Sequence, residues 1–324
     1  MTKSEDPHRI PLHHADGSTS PLLIVRADQR RENRPAVLVL PGIAVGARYY
    51  LPLARALAAE GVDVAITELR GQGESTYRVG RRSGPAGYHE SAAQDIPLAL
   101  EAMQDHLGSR PVVLLGHSMG AQLGLYHLAR HDPRVVGLVA VASQSPYHRG
   151  YPHPMSRNLR AGSVILPLLG RLAGFVPGQF YGAKGKIPTS RIRDWARLAG
   201  SGTMQPARAD IDYRAGLADV RVPALAVVIA GDELAPESAA RQLLALLPSA
   251  PTTLECEPRP LGHNAWAREP AEIVTRVLAW MEREQLPGAT GTESTNGNGS
   301  ATGAASAARS ASERQGRRSG TTTR

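Results

Sequence analysis

The sequence predicts a mostly parallel, doubly wound α/β sheet. Several short runs are uniformly apolar, as in strands buried on both faces of a parallel sheet, and residues 36–40, Ala-Val-Leu-Val-Leu, are the clearest example. Stretches with apolar residues at helical spacing lie between these runs, and such an alternation is typical of βαβ units. The 324 residues, of which 42% are hydrophobic, are enough for one large domain of this class.

The first predicted elements form an antiparallel hairpin. Two extended stretches, residues 9–13 and 22–25, lie on either side of the turn residues Asp16, Gly17 and Ser18. Because the connection between them is short, the two strands are expected to pair antiparallel and to precede the parallel part of the sheet.

The middle of the chain alternates between strands and helices. A helix is predicted at 50–59 because Glu60-Gly61 is a typical end signal, and a strand at 62–69 ends in the loop sequence Arg-Gly-Gln-Gly-Glu-Ser at 70–75. The remaining elements, in chain order, are a helix at 91–107, strands at 112–115, 135–142, 225–230 and 252–255, and a closing helix at 271–284.

Two segments fall outside this alternation. Residues 146–215 separate two sheet strands by far more than a normal connection, and helix-like pieces such as 192–198 occur within them, so they are expected to form a cap inserted over the strand ends. Residues 287–324 are rich in Gly, Ser, Thr and Ala and have no apolar period, which predicts a disordered tail. We therefore expect one domain over residues 1–286, followed by this tail.

Cysteine content and the lack of long apolar runs bear on the compartment. The single cysteine, Cys256, permits no intrachain disulfide, which favours a reducing compartment. Residues 1–7 contain no apolar stretch of a signal peptide, and no apolar run reaches the length of a membrane span. The expectation is a cytoplasmic protein with no membrane span.

The positive charge is concentrated in the predicted cap. Residues 146–215 contain eleven basic and three acidic side chains, a balance of +8 that equals the formal net charge of the whole chain. The tail adds five arginines and two glutamates, but no aromatic residue lies among the arginines, so nucleic-acid binding is not expected. We expect the tail to be dispensable for catalysis.

The sequence Gly116-His117-Ser118-Met119-Gly120 is the strongest functional signal. It follows the apolar run at 112–115 and precedes a helix-like run, which is the strand, turn and helix context of a nucleophile elbow. The sharp turn would force Ser118 into a strained conformation, and a side chain at 116 or 120 would collide with the flanking strand or helix. Ser118 is therefore the candidate nucleophile, and His117 is expected to shape the turn instead of acting as a base.

A serine nucleophile needs a base that is itself oriented by an acid. Asp232 follows the strand at 225–230, and His263 follows the last strand, so both would lie at the same sheet edge as Ser118. Asp232 is the candidate acid, with Glu233 as the alternative, although an Asp after a strand also serves as a helix cap or turn former. His263 is the candidate base.

Two backbone N–H groups are needed to stabilise an oxyanion. The residue after the nucleophile supplies the first, which is Met119 here. The loop after Leu40 supplies the second, and Ile43 is the candidate in that loop.

These motifs resemble those of the α/β-hydrolase superfamily over roughly residues 8–286. The motifs are Gly-His-Ser-Met-Gly at 116–120, Arg-Gly-Gln-Gly-Glu-Ser at 70–75, Gly-Asp-Glu-Leu-Ala-Pro at 231–236 and Gly-His-Asn-Ala-Trp at 262–266. The chain departs from many members at Pro41, where they have His, and at Glu68, where they have Asp. The resemblance implies a serine hydrolase that uses neither a metal nor a cofactor.

The motifs specify a fold more closely than a reaction. A carboxylic ester or thioester hydrolase acting through an acyl-enzyme is the first hypothesis, an acyltransferase with the same three residues is the second, and a non-catalytic ligand-binding protein is the third. The substrate would be a small acyl compound, and the charge of the cap adds the hypothesis that it is anionic and attracted by these arginines. Nothing in the sequence indicates an oligomeric state.

Overall fold

A computed structural model describes residues 6–181 and 185–288 of the chain. Within these ranges eight strands form one sheet and two more form a small antiparallel pair. The strands of the large sheet are β1 (His8–His13), β2 (Thr19–Val25), β3 (Ala36–Leu40), β4 (Val64–Thr67), β5 (Val112–His117), β6 (Val135–Val141), β9 (Ala224–Ile229) and β10 (Thr252–Glu257), and those of the pair are β7 (Phe175–Pro177) and β8 (Lys186–Pro188).

The order of strands across the sheet is β1-β2-β4-β3-β5-β6-β9-β10. The pairs β1–β2 and β2–β4 are antiparallel, whereas every later pair is parallel. This confirms the predicted hairpin and the mostly parallel α/β sheet. The apolar runs are buried throughout β3, β4, β5 and β9, because helices cover both faces of a parallel sheet.

Helices cover the two faces of the sheet and form the inserted segment. In chain order they are α1 (Leu51–Ala59), α2 (Tyr88–Glu90), α3 (Ile96–Leu107), α4 (Met119–Leu128), α5 (Met155–Ala173), α6 (Thr189–Ser201), α7 (Tyr213–Ala218), α8 (Glu237–Leu244), α9 (Gly262–Ala265) and α10 (Ala271–Arg283). One apolar core includes residues of α3 and α4, and a second, on the other face, includes residues of α1 and α10.

The helix expected at 91–107 is interrupted at its start. Ser91–Asp95 form a π-helical turn, and the regular helix α3 begins only at Ile96. Pro97 supplies the physical reason, because it has no N–H to donate to the preceding turn, so that the backbone there widens to a longer hydrogen-bonded ring.

The segment between β6 and α7 contains more regular structure than predicted. The helical piece expected at 192–198 is part of α6, but the sequence reading did not identify the 19-residue helix α5. Pro167 lies inside α5, and a proline at that position usually ends a helix, so the sequence pattern did not indicate one continuous helix. Helix α5 packs along α6, and the exact limits of the cap stay a prediction.

The ends of the chain and its single thiol complete the description. The part of the predicted tail after residue 288 lies outside the described residues. Cys256 is exposed on β10, which is the edge strand. None of the helices in the described ranges combines the length and the apolar character needed to cross a bilayer.

Candidate active site

Ser118 lies at the turn between β5 and α4, near the centre of the sheet. Its φ is 51° and its ψ is −120°, a backbone conformation that residues other than glycine rarely adopt. A Cβ at Gly116 would lie 2.2 Å from the backbone nitrogen of Ala121, and one at Gly120 would lie 2.0 Å from the carbonyl oxygen of Leu40. The two glycines therefore permit the close approach of helix and strand that holds Ser118 in this turn.

The side chains of Ser118, His263 and Asp232 form a hydrogen-bonded line. The distance from His263 Nε2 to Ser118 Oγ is 2.9 Å, and the distance from His263 Nδ1 to Asp232 Oδ2 is 2.8 Å. The three residues come from loops after β5, β9 and β10, so the parallel sheet brings these loops to one edge. Glu233, the alternative acid, is exposed, and the carboxylate that faces His263 is that of Asp232.

Asp232 is placed both to orient His263 and to stabilise a local turn. Its Oδ2 faces His263, while its Oδ1 accepts the backbone N–H groups of Leu234 at 3.0 Å and Ala235 at 3.3 Å. The carboxylate thus forms a local turn with one oxygen and orients the imidazole with the other. Because an acceptor faces Nδ1, the hydrogen of the neutral ring is held on Nδ1 and Nε2 is left to face the serine hydroxyl.

Two backbone N–H groups near Ser118 are available to a ligand. Met119 is the first residue of α4, where an N–H has no acceptor inside the helix. In the loop after β3, Gly42, Ala44 and Val45 each donate their N–H to a neighbour, but no acceptor for the N–H of Ile43 is found among the described residues. These are the two N–H groups that the sequence predicts for the oxyanion.

The side chain of Gln72 holds the loop that contains Ile43. Its Nε2 donates to the carbonyl oxygens of Gly42 at 3.1 Å and Val45 at 2.9 Å, and its Oε1 accepts the N–H of Ala44 at 2.9 Å. All three bonds fix the backbone on either side of Ile43. Gln72 belongs to the Arg-Gly-Gln-Gly-Glu-Ser motif, so that motif supports the candidate oxyanion loop directly.

The side chain of Glu68 connects the loop after β3 with the loop after β4. Its Oε2 accepts the N–H of Ala47 at 3.1 Å and that of Glu74 at 3.3 Å, whereas Oε1 is buried without a partner in the described residues. Burial raises the pKa of Glu68 to about 7. A Cβ at Gly73 would overlap this carboxylate, so the Glu at 68 and the Gly at 73 fit each other.

His117 and Tyr50 connect three parts of the site, and the sequence reading did not identify Tyr50. His117 Nε2 lies 2.9 Å from the carbonyl oxygen of His263, so this nitrogen carries the hydrogen, and Nδ1 accepts from the Tyr50 hydroxyl at 2.6 Å. The same hydroxyl accepts the N–H of Gly42, and Trp266 Nε1 donates to His263 O at 3.1 Å. Burial lowers the pKa of His117 to about 3, so the ring is neutral.

A cavity of about 1000 Å³ opens onto Ser118. Its walls are mostly apolar and include residues of the inserted segment such as Leu159, Leu166 and Trp195. The polar lining consists of neutral amides, Ser118, the phenols of Tyr49 and Tyr151 and the imidazoles of His117 and His263, and no lysine, arginine or carboxylate of the described residues lines it. The described residues also contain no group of three or more His, Cys, Asp or Glu that could hold a metal ion.

Comparison with known proteins extends this picture. A family model described as serine aminopeptidase, S33, matches residues 31–198, a little over half of the chain. The match includes Ser118 and ends before Asp232 and His263. No curated protein matches the sequence.

Solved structures share the fold at low sequence identity. A soluble variant of monoglyceride lipase from Saccharomyces cerevisiae is 16% identical, with a TM-score of 0.66 over 88% of this chain and 97% of that chain. An esterase from Thermogutta terrifontis is 15% identical, with a TM-score of 0.56 over 86% and 99%. The thioesterase domain from the curacin biosynthetic pathway is 17% identical, with a TM-score of 0.52 over 85% and 100%.

Proposed function

Because the chain belongs to the α/β-hydrolase superfamily, in the family described as serine aminopeptidase S33, we propose that it is a serine hydrolase that cleaves carboxylic esters or thioesters. The observation that carries the proposal is the line of hydrogen bonds from Asp232 through His263 to Ser118 at the base of an apolar cavity. Solved structures with this fold include an esterase, a lipase and a thioesterase, which is in keeping with the same chemistry.

The first half of the proposed reaction forms an acyl-enzyme. Ser118 Oγ attacks the carbonyl carbon of the ester while His263 Nε2 takes the hydroxyl proton, and Asp232 stabilises the imidazolium through Nδ1. The tetrahedral intermediate collapses when the bond to the leaving alcohol or thiol breaks, and His263 returns the proton to that leaving group. The acyl group is then an ester of Ser118.

The second half releases the acid. A water molecule gives a proton to His263 Nε2 and attacks the acyl carbon, and the bond to Ser118 Oγ then breaks and the proton returns to it. In both halves negative charge develops on the former carbonyl oxygen. The N–H groups of Met119 and Ile43 are positioned to stabilise this charge, and Gln72 and Tyr50 hold the loop of Ile43 in place.

The lining of the cavity favours a neutral acyl group. Most of the side chains around the space above Ser118 are apolar, and the polar ones there are uncharged, such as Gln144, Asn158 and Tyr151. An aliphatic or aromatic acyl chain would be buried in such a space, whereas a distal carboxylate would lose its hydration without gaining a cation.

A fluorophosphonate probe tests the proposal. The native chain is expected to be labelled at Ser118, with release of fluoride, and Ser118→Ala is expected to remove both labelling and ester turnover. Native protein that takes up no label would contradict the assignment of Ser118.

The acid is tested with a matched pair of variants. Asp232→Asn is expected to lower kcat by about a thousandfold or more, because the amide no longer holds the imidazole in the required tautomer. Glu233 is an exposed neighbour of the same charge, and kcat of Glu233→Gln is expected to stay within about twofold of the native value, a barrier change below ~0.5 kcal/mol.

If added alcohol yields a new ester in place of the free acid, the enzyme is an acyltransferase with the same residues.

A further inference from the structure

The outer face of helix α5 exposes a stripe of large apolar side chains. Val164 is 69% exposed, Leu168 is 56% exposed and Leu172 is 60% exposed, and these three residues follow each other at intervals of four on one face of the helix. Across the described ranges, six large apolar side chains are exposed, and the other three are Ile165, Leu169 and Leu234. Five of the six therefore belong to α5, which is unlike a normal scatter of apolar residues on a surface.

The stripe continues into the cavity above Ser118. Ile165 and Leu234 are exposed and also line that cavity, while Leu159 and Leu166 line it from the inner side of α5. Ile165 and Leu234 thus belong both to the outer apolar surface and to the wall of the proposed substrate site.

Basic residues accompany the stripe. Arg157, Arg160 and Arg171 are exposed on α5, and the helix contains no acidic residue. Arg160 precedes Val164 by four residues and Arg171 follows Leu168 by three, so their cations lie beside the apolar side chains. None of the three arginines forms an ion pair with any residue in the described ranges. Apolar residues flanked by cations on one helix face are typical of a helix that lies in a membrane interface.

We propose that this face, the residues Val164, Leu168 and Leu172 together with Arg157, Arg160 and Arg171, binds the surface of a lipid bilayer that contains anionic lipids. The apolar side chains would enter the boundary between headgroups and acyl chains, and the arginines would pair with lipid phosphates and carboxylates. The proposal takes from the proposed function only the identity of the cavity as the substrate site. Binding itself requires no catalysis.

The charge of the face disfavours two other occupants. A second copy of the chain bound through the same face would bring three arginines against three arginines, since a two-fold interface is self-complementary. The C-terminal residues 289–324 contain five arginines, two glutamates and no Leu, Ile, Val, Met or aromatic residue, so they match neither the charge nor the apolar stripe.

Vesicle sedimentation with the full chain tests the proposal. Ser118→Ala is used as the parent so that no lipid is consumed, and the vesicles contain phosphatidylcholine with or without phosphatidylserine. The parent is expected to bind the vesicles with phosphatidylserine and to bind less as salt rises. Combined Val164→Gln, Leu168→Gln and Leu172→Gln changes are expected to weaken binding at least about tenfold, because the buried apolar area is lost.

A charge-matched control separates the helix from the overall positive charge. Combined Arg157→Gln, Arg160→Gln and Arg171→Gln changes are expected to weaken binding about a hundredfold. The same number of changes at the exposed residues Arg55, Arg214 and Arg221, which lie outside α5, is expected to leave binding unchanged. Equal losses in the two sets, or no binding by the parent, would overturn the proposal.

Two further measurements distinguish the remaining outcomes. Sedimentation velocity of the parent would overturn the proposal if it found a dimer that the three apolar changes dissociate, since a second copy would then cover the stripe. In the Ser118 background, turnover of a short soluble ester should be unchanged by Val164→Gln, Leu168→Gln and Leu172→Gln, because none of these residues lines the cavity. Loss of vesicle binding with intact turnover separates this proposal from the proposed function.

Discussion

The hydroxyl of Tyr50 is one atom that joins the candidate oxyanion loop, the elbow and the histidine loop. It accepts the N–H of Gly42 and donates to His117 Nδ1, and His117 in turn donates to the backbone of His263. Tyr50, Gly42 and His117 are buried, and a buried polar group without a partner costs about 1–3 kcal/mol. The position of His263 and that of Ile43 therefore depend on the same hydroxyl.

Tyr50→Phe is expected to lower kcat about ten- to a hundredfold while KM changes little, because it removes this hydroxyl and leaves the ring in place. The free energy of unfolding should fall by about 1–3 kcal/mol in the same variant. Tyr213→Phe is the control, since Tyr213 is a buried tyrosine whose hydroxyl contacts His89 and Arg130 away from the cavity. A similar loss of kcat in Tyr213→Phe would show that general loosening, and not the network at Tyr50, lowers the rate.

The residues with local signals could be predicted, and those with only long-range contacts could not. Ser118 lies between two glycines at fixed spacing, and Asp232 and His263 follow strand ends, so each has a signal within a few residues of itself. Tyr50 lies in an ordinary apolar context at the start of α1, and only the fold brings it to His117, 67 positions away in sequence. Its function has no signature in a single sequence.

At the scale of elements, the two loops after β3 and β4 act as one unit. Gln72 lies in the loop after β4, and its side chain forms hydrogen bonds with the backbone of the loop after β3. The buried carboxylate of Glu68 accepts one N–H from each loop. The Glu found at this position reaches a pocket that Gly73 leaves open. The cost of this arrangement is a carboxyl group with a pKa of about 7 in the folded chain.

This pKa predicts how stability depends on pH. The value is above the usual 4.5, so between pH 4.5 and 7 the folded state binds more protons at Glu68 than the unfolded state does. Protonated Glu68 therefore favours the folded state at low pH. As pH rises through this window, the free energy of unfolding falls by about 3 kcal/mol in total. Urea unfolding at pH 5 and pH 8 should show this loss in the native chain and not in Glu68→Gln.

An exposed carboxylate on the same loop serves as the comparison. Glu74→Gln should follow the native chain across the pH range, because Glu74 is exposed and its ion pair with Arg9 lies at the surface. Parallel curves for the native chain and Glu68→Gln would contradict the prediction.

Periodicity identified most elements of the sheet and its helices but not those altered by proline. Uniform apolar runs placed the parallel strands β3, β4, β5, β6 and β9, because burial on both faces requires such runs. Pro167 concealed α5, and Pro97 displaced the start of α3 behind a π-helical turn. In both cases packing against the rest of the fold stabilises a helix at a place where the proline in the sequence predicts a break.

At the scale of the whole molecule, the basic side chains of the inserted segment that the structure describes lie outside the cavity lining. Arg191 is buried and donates to the carbonyl oxygen of Arg70, Arg208 pairs with Glu90, and the arginines of α5 are exposed. Composition predicted the excess of charge in this segment but could not place it, because the direction of each side chain depends on how α5 and α6 pack. The hypothesis of an anionic substrate required two or three of these cations to line the entrance to the site.

The structure therefore leads to the opposite expectation for two esters that differ only in a distal carboxylate. The neutral ester should have the higher kcat/KM, by about a hundredfold or more, because the carboxylate would be buried among apolar side chains without a cation. The arginines outside the cavity still attract an anion, so salt should lower kcat/KM of the anionic ester and leave that of the neutral one unchanged. Measuring both esters at low and high salt distinguishes these effects. A preference for the anionic ester that shrinks as salt rises would mean that the arginines reach the substrate and would support the hypothesis drawn from composition.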